Sequence, residues 1–323
     1  MSNRADGRMS AIELRSASKT FGERAAVDGL SLSVEKGEMF ALVGPDGAGK
    51  TTTIRMLCGI VPPTSGTLTV CGFDAQKQGA EVKRRIGYLS QKFSLYGDLT
   101  VDENIEFFAE IHNVRDYGAR RNELLEFTRL MPFRDRFAEK LSGGMKQKLA
   151  LACTLIHTPD VIFLDEPTAG VDPVSRRDFW KILSGLLKTG ITIFMTTPYL
   201  DEAERCTRVA MMNEGKLLMV DTPDRLKGRM RGTIVELVCT EIRKAFFLLK
   251  AYPAVREVQA FGDRLNIVVG QQDADMPEVT SFLEKNSIRV ADWRAVPPSL
   301  ENVFISLLSQ QHSTRESEVA SEL

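Results

Sequence analysis

Residues 44–52 read GPDGAGKTT. They satisfy the P-loop pattern in full: Gly44, four residues, then Gly49, Lys50 and Thr51. An apolar run over 39–43 precedes them, and a helical pattern opens at Lys50. Strand, glycine loop and helix together point to an α/β architecture with a phosphate site at a strand's carboxyl end. Glycines let successive backbone N–H groups converge on phosphate oxygens without Cβ obstruction. The helix N-terminus adds a positive dipole. On this reading Gly44, Pro45, Asp46, Gly47, Ala48, Gly49 and Thr52 form the cradle. Lys50 reaches the β- and γ-phosphates, and the Thr51 hydroxyl ligates Mg²⁺.

A second segment, VIFLDEPTAGVDP at 161–173, ends an apolar run in two carboxylates. A buried strand that delivers an acid to its carboxyl end is what a Mg²⁺ site beside a P-loop requires. Asp165 is expected to hold the metal shell. Glu166, one residue on, is expected to polarise the attacking water as general base.

At 323 residues the chain has room for about two domains. Strand-like runs at 12–15, 39–43, 86–89, 161–165 and 191–195 alternate with helical patterns at 50–57, 101–111, 120–130, 142–156 and 173–187. Such alternation predicts parallel strands with crossover helices. The stretch 100–156 is almost purely helical and reads as an insertion between two strand-bearing halves. From Gly232 the predicted order becomes strand, helix, strand, strand, helix, strand, with Gly262 and Asp263 as a hairpin turn. That is the split βαβ unit of ferredoxin-like folds. A last helix follows Pro298, with Leu300, Val303, Phe304, Leu307 and Leu308 on one face.

Lys and Arg total 42 against 43 Asp and Glu, for a net charge of −1. This argues against a strongly basic nucleic-acid binder. No apolar run approaches the roughly 18–20 residues of a membrane helix. The first residues have no apolar core of a leader, so a cytoplasmic chain is expected. The 5 cysteines are scattered and read as reduced, buried thiols.

A third segment, LSGGMKQKLALA at 141–152, resembles the signature motif of ABC-type ATPases. Ser142 caps the helix that follows, and Gly143 and Gly144 leave its N-terminus open to an anion. The similarity covers about 11–222. It implies a P-loop NTPase cassette: a RecA-like core with a helical signature subdomain near 92–157. In this family nucleotide lies between the P-loop of one subunit and the signature of another, so a pair of cassettes is implied, with ATP and Mg²⁺ as ligands. Phe21 stands where an aromatic residue stacks on adenine. Gln91 matches the Q-loop, which contacts metal or water and senses the membrane partner. Residues 169–172, ending in Asp172, match the D-loop that crosses the dimer.

Two positions depart from the family pattern. Asp46 replaces the common Asn or Ser, and a carboxylate beside a triphosphate is repulsive unless it turns away or bonds a loop N–H. Pro198, in TTPYLDEAE at 196–204, replaces the usual switch histidine. Proline offers no donor to a γ-phosphate and biases Thr197 toward extended backbone. Hydrolysis then rests on Glu166, or turnover is slow, or the protein uses ATP binding more than hydrolysis.

The part ending in PPSLENVFISLL resembles the C-terminal extension of drug- and polysaccharide-type ABC-2 exporter ATPases. The expected division is a flexible 1–10, a cassette over 11–226, a small α+β domain over 232–309 and a polar tail over 310–323. The resemblance implies an exporter motor on the cytoplasmic face of the membrane, working through a separate ABC-2 type permease. Its docking segment is 91–104, with Phe93, Leu95 and Tyr96. The alternative is a soluble or catalytically weak ATP-binding regulator. Lys83, Arg84 and Arg85, and Lys227, Arg229 and Arg231, read as solvated charged faces.

Overall fold

The computed structural model describes residues 10–92 and 95–321, with side chains through 310. Most of the expected flexible terminus, 1–9, and Phe93 lie outside the described residues. The fold divides into two compact units that meet between Val220 and Asp221.

The first unit opens with β1 (Ser10–Phe21) and β2 (Arg24–Glu35), which pair antiparallel. Leu30, Leu32 and Val34 point inward between exposed serines, the period of a half-buried strand. β3 (Met39–Val43) is buried at every residue and feeds the glycine loop and α1 (Lys50–Leu57). β4 (Ser65–Val70) and β5 (Phe73–Asp74) extend the first sheet to the order β2-β1-β4-β5. α2 (Gly79–Arg85) leads to β6 (Ile86–Leu89).

The helical insertion follows as α3 (Val101–Ile111), α4 (Gly118–Phe127) and α5 (Gly143–Leu155). Thr100 and Glu103 form a capping box, each side chain accepting from the other's backbone N–H, which sets the start of α3. The chain returns through β7 (Val161–Asp165), α6 (Pro173–Lys188), β8 (Thr192–Thr197), α7 (Leu200–Ala203), β9 (Arg208–Asn213) and β10 (Lys216–Asp221).

The second sheet runs β10-β9-β3-β8-β7-β6. Its strands β3 and β6 to β9 are parallel. β3, β7 and β8 are buried throughout, as strands covered on both faces must be. Phe194 stacks on Phe40 at 5.5 Å and meets Phe163 at 5.7 Å, so one aromatic cluster ties three strands. This sheet brings the ends of β3, β8 and β7 side by side.

The second unit contains α8 (Pro223–Lys227), β11 (Thr233–Cys239), α9 (Ile242–Lys250), β12 (Val255–Phe261), β13 (Arg264–Val269), α10 (Gln272–Lys285), β14 (Val290–Val296) and α11 (Leu300–Ser321). Its antiparallel sheet has the order β12-β13-β11-β14, the ferredoxin-like arrangement. Gly262 and Asp263 make the tight turn between β12 and β13. Val235, Leu237, Leu265, Ile267, Met276 and Leu283 form its core.

Two boundaries differ from the sequence expectation. α8 packs on α11, so it joins the second unit rather than closing the first. Helix α11 runs to Ser321, so the backbone from Gln310 continues as helix where a polar tail is expected.

Candidate functional site

The glycine loop is held open by close backbone approaches. A Cβ on Gly44 would sit 2.1 Å from the Met212 carbonyl oxygen. Gly49 has φ of 104°, and a Cβ there would sit 2.2 Å from the Ala26 carbonyl oxygen. The loop's shape is therefore built into the packing of β2 and β9 around it. A cleft of about 580 Å³ lies over residues 46–52 and is also lined by Phe21, Arg24, Ala26, Gln91 and Glu166. Phe21, at the end of β1, is 53% exposed, so its ring is not committed to the core, and the Lys19 ammonium lies 5.0 Å from the ring centre. Arg24 and Ala26 come from β2 and carry no motif in the sequence.

Lys50 is buried, and its Nζ donates to the carbonyl oxygens of Gly44 at 2.8 Å and Pro45 at 3.1 Å. It also pairs with Glu166 Oε1 at 3.3 Å. Gln91 Nε2 donates to the other Glu166 oxygen at 3.1 Å. Lys50, Gln91 and Glu166 thus meet at one carboxylate. Glu166 sits in the left-handed region with φ of 49°, a backbone strain that non-glycine residues carry mostly at functional positions. Its N–H is held by the Thr196 carbonyl and hydroxyl oxygens, both at 3.1 Å.

Asp165, at 1% exposure, ends β7. Its Oδ1 accepts from Thr51 Oγ1 at 2.9 Å and from Thr196 Oγ1 at 2.7 Å. A buried carboxylate oxygen and a hydroxyl from α1 in contact make a hard-oxygen donor set of the kind Mg²⁺ takes. Burial, and the Asp165 charge second, push the Cys58 thiol and the Tyr88 phenol up. Neither adds a charge beside Asp165 at neutral pH.

Pro198 follows β8 directly. The Thr197 hydroxyl spans it by accepting from the Tyr199 N–H at 3.0 Å. The described side chains place no histidine here. His157 lies after α5 instead, its ring stacked on His112 at 3.9 Å and its Nε2 2.9 Å from the Ile86 carbonyl oxygen.

The signature residues lie elsewhere in the unit and do not line the cleft. Ser142 is the N-cap of α5, accepting from the Met145 N–H at 3.3 Å. Gly143 is open, but a Cβ on Gly144 would sit 2.3 Å from Ser175 Oγ. Only Gly143 therefore keeps the α5 N-terminus clear, while Gly144 serves the close approach of α5 to α6. Asp172 is likewise outside the cleft. It caps α6 by accepting from the N–H groups of Val174 and Ser175, and the bonds to Ser175 hold its carboxyl below the usual range.

Comparisons with known proteins agree with this arrangement. Residues 27–169 match the ABC transporter family, and residues 222–308 match the C-terminal domain of DrrA1-3-like ATP-binding proteins. The chain is 44% identical over 222 residues to the probable multidrug ABC transporter ATP-binding protein YbhF of Escherichia coli K12. That match covers 68% of this chain and 38% of YbhF. It is 42% identical over 307 residues to the Nod factor export ATP-binding protein I of Paraburkholderia xenovorans LB400, covering 93% of this chain and 98% of that protein. Among solved structures it is similar to the dimeric post-hydrolysis state of the cassette MJ0796 bound to ADP and Pi. The TM-score is 0.59 at 25% identity, over 65% of this chain and 98% of that one. A P-loop at the end of β3, an acid pair at the end of β7 and full-length similarity at this level leave one assignment: the chain belongs to the family of ABC transporter ATP-binding proteins and carries a DrrA-like C-terminal domain.

Proposed function

We propose that this chain binds Mg·ATP, pairs head to tail with a second cassette, hydrolyses the nucleotide and powers export through a separate ABC-2 type permease. The observation that carries the reading is the convergence of Lys50 and Gln91 on Glu166 at one cleft, beside the contact of Thr51 with Asp165. The signature residues 142–144 and Asp172 lie outside that cleft, which supports a site completed by a second copy. The dimeric MJ0796 structure supports the same pairing.

Each side chain has a task in this reading. Lys50 exchanges the Gly44 and Pro45 carbonyls for phosphate oxygens. Thr51, Asp165 and Gln91 would hold Mg²⁺, which supplies neutralisation of phosphate charge when bound. Glu166, freed from Lys50, takes a proton from the attacking water. Phe21 offers its exposed face to the adenine. Ser142, Gly143 and Asp172 of one copy face the nucleotide of the other, with the α5 dipole directed at phosphate, while Gly144 seats α5 against α6. Charge repulsion between products then reopens the pair.

Export, and a place on the cytoplasmic face of the membrane, rest on the similarity to export and multidrug ATP-binding proteins. Among the described residues no helix is long and apolar enough to cross a membrane, so the path for cargo would lie in another chain. The segment 91–104, where Tyr96 is 46% exposed, is the permease-facing surface in this reading. A second reading, an ATP-binding regulator with little turnover, is favoured by Pro198 alone.

Steady-state Mg²⁺-dependent hydrolysis, run beside Glu166→Gln, separates the two. The motor reading expects turnover that Glu166→Gln abolishes, and an ATP-dependent dimer of that variant in light scattering. A variant that stays monomeric with ATP contradicts the composite site. Binding without turnover in either protein favours the regulator.

A further inference from the structure

Glu202 is 1% exposed, yet it belongs to a short helix at the edge of the site, α7. A carboxylate removed from water persists only when paired and hydrogen-bonded. Its partners come from two functional loops. Thr168 Oγ1, two residues after Glu166, lies 2.7 and 2.8 Å from the two Glu202 oxygens and shares its one proton between them. Thr197 Oγ1, at the end of β8, donates to Oε2 at 3.0 Å. Arg176 of α6 supplies the opposite charge, with Nε 3.3 Å from Oε1. The same guanidinium lies 4.7 Å from the centre of the Tyr199 ring.

We propose that Glu202 is a positioning residue that clamps the 168–172 loop to the 197–199 segment, so that the two move as one body beside Glu166. The bonding pattern carries this. Thr197 uses its hydroxyl twice, donating to Glu202 and accepting from the Tyr199 N–H across Pro198. Proline contributes no N–H of its own there, so the turn's bond is the one the Tyr199 N–H donates to this hydroxyl. Its neighbour Thr196 holds the Glu166 N–H and Asp165. Glu202 therefore joins the loop after Glu166 to the strand end that also fixes Glu166 from behind. No P-loop atom takes part, and Asp172 at the loop's far end is held separately by the N–H groups of Val174 and Ser175, so the clamp acts on placement of the base and not on nucleotide affinity.

The turnover part of this inference rests on Glu166 acting as base; the clamp itself does not. The test uses the full chain with Thr168→Val, Thr168→Ser and Glu202→Gln, followed by amide exchange and steady-state ATPase. Thr168→Val is expected to raise exchange at Val171 and also at Tyr199, which Thr168 does not touch. Thr168→Ser, which keeps the hydroxyl, is expected to restore both. The kcat of Thr168→Val and Glu202→Gln is expected to fall about ten- to a hundredfold, with KM for ATP within about twofold. Should Glu202→Gln fail to fold, Thr168→Val and Thr168→Ser decide the matter alone. Exchange at Tyr199 unmoved by Thr168→Val overturns the clamp. Exchange that moves while kcat per folded molecule stays constant overturns its role in turnover. A wild-type protein with no ATPase refutes the proposed function, while the exchange result still decides the clamp.

Discussion

Lys50 Nζ and Glu166 Oε1 lie 3.3 Å apart, with side chains 4% and 11% exposed. The lysine proposed to grip phosphate is paired with the carboxylate proposed to activate water. Its remaining donors go to the carbonyls of Gly44 and Pro45. A polyphosphate offers stronger, charged acceptors for the same ammonium. Binding would therefore swap partners on Lys50 and release Glu166 toward the site where water must sit.

Lys50→Ala removes the centre of that exchange. ATP affinity is expected to fall at least about tenfold, since a hydrogen bond to a charged group contributes about 1.5–3 kcal/mol. Titration with a fluorescent ATP analogue reads it. Unchanged affinity would mean that the loop N–H groups hold the nucleotide without the lysine.

Thr196 is a second target, at 0% exposure. Its hydroxyl donates to Asp165 and accepts from the Glu166 N–H. Thr196→Val keeps the shape and deletes both bonds, leaving Asp165 Oδ1 with Thr51 alone. The expected loss is about 1–3 kcal/mol of stability, read by urea unfolding, with a lower kcat in the folded fraction. A neutral result would show that the Thr196 carbonyl, also bonded to the Glu166 N–H, is sufficient.

Features that a few adjacent residues create were legible in the chain. The P-loop, the 161–173 segment and the signature are contiguous, and the helical pattern at 101–111 matches α3. The second unit's strand and helix order could be read because apolar alternation changes there. Strands β2, β4, β5, β9 and β10 were missed. In β2 and β4 the apolar residues are diluted by serine, threonine and glycine, and a reading weighted toward continuous apolar runs passes over them. β5 is two residues long, and β9 and β10 each carry a single β-branched residue among methionine, leucine and alanine, which weakens the strand signal. Arg24 and Ala26, which line the cleft, were lost with β2. Contacts such as Thr168 with Glu202, 34 residues apart, exist only once β7 and β8 lie side by side. The helical end of α11 was missed because its sequence beyond Gln310 has no apolar face to signal it.

The stacked pair His112 and His157 predicts a pH response. Burial, with the neighbouring ring second, pulls the His112 pKa from 6.5 to about 4, and burial lowers that of His157 too. Above about pH 6.5 both rings are neutral folded or unfolded. Between about 6.5 and 4 the unfolded chain takes up protons that the folded chain refuses, so stability falls as pH falls through this window. The Tm is expected to drop between pH 7 and pH 5, and to drop less in His112→Phe, which keeps a ring for stacking. An equal drop in both proteins would place the response elsewhere.

Gly144 tests how the signature helix is seated. A Cβ there would meet Ser175 Oγ at 2.3 Å and Ser175 Cβ at 2.4 Å, while Ser175 Cα is 3.7 Å away. Gly144→Ala must push α5 off α6, at about 1–3 kcal/mol for overpacking. Ser175→Gly removes both obstructing atoms, at about 1 kcal/mol of its own for glycine in a helix. The double variant should then recover most of the Gly144→Ala loss, giving a coupling energy of about 1–3 kcal/mol in a double-mutant cycle. Denaturant unfolding of the four proteins supplies that number. Additive losses would mean that α5 adjusts independently of α6, and the glycine would owe its place to the open N-terminus instead. Recovery of stability with ATPase still depressed would separate the two demands on this loop: close packing at Gly144, and an unobstructed approach for phosphate at Gly143.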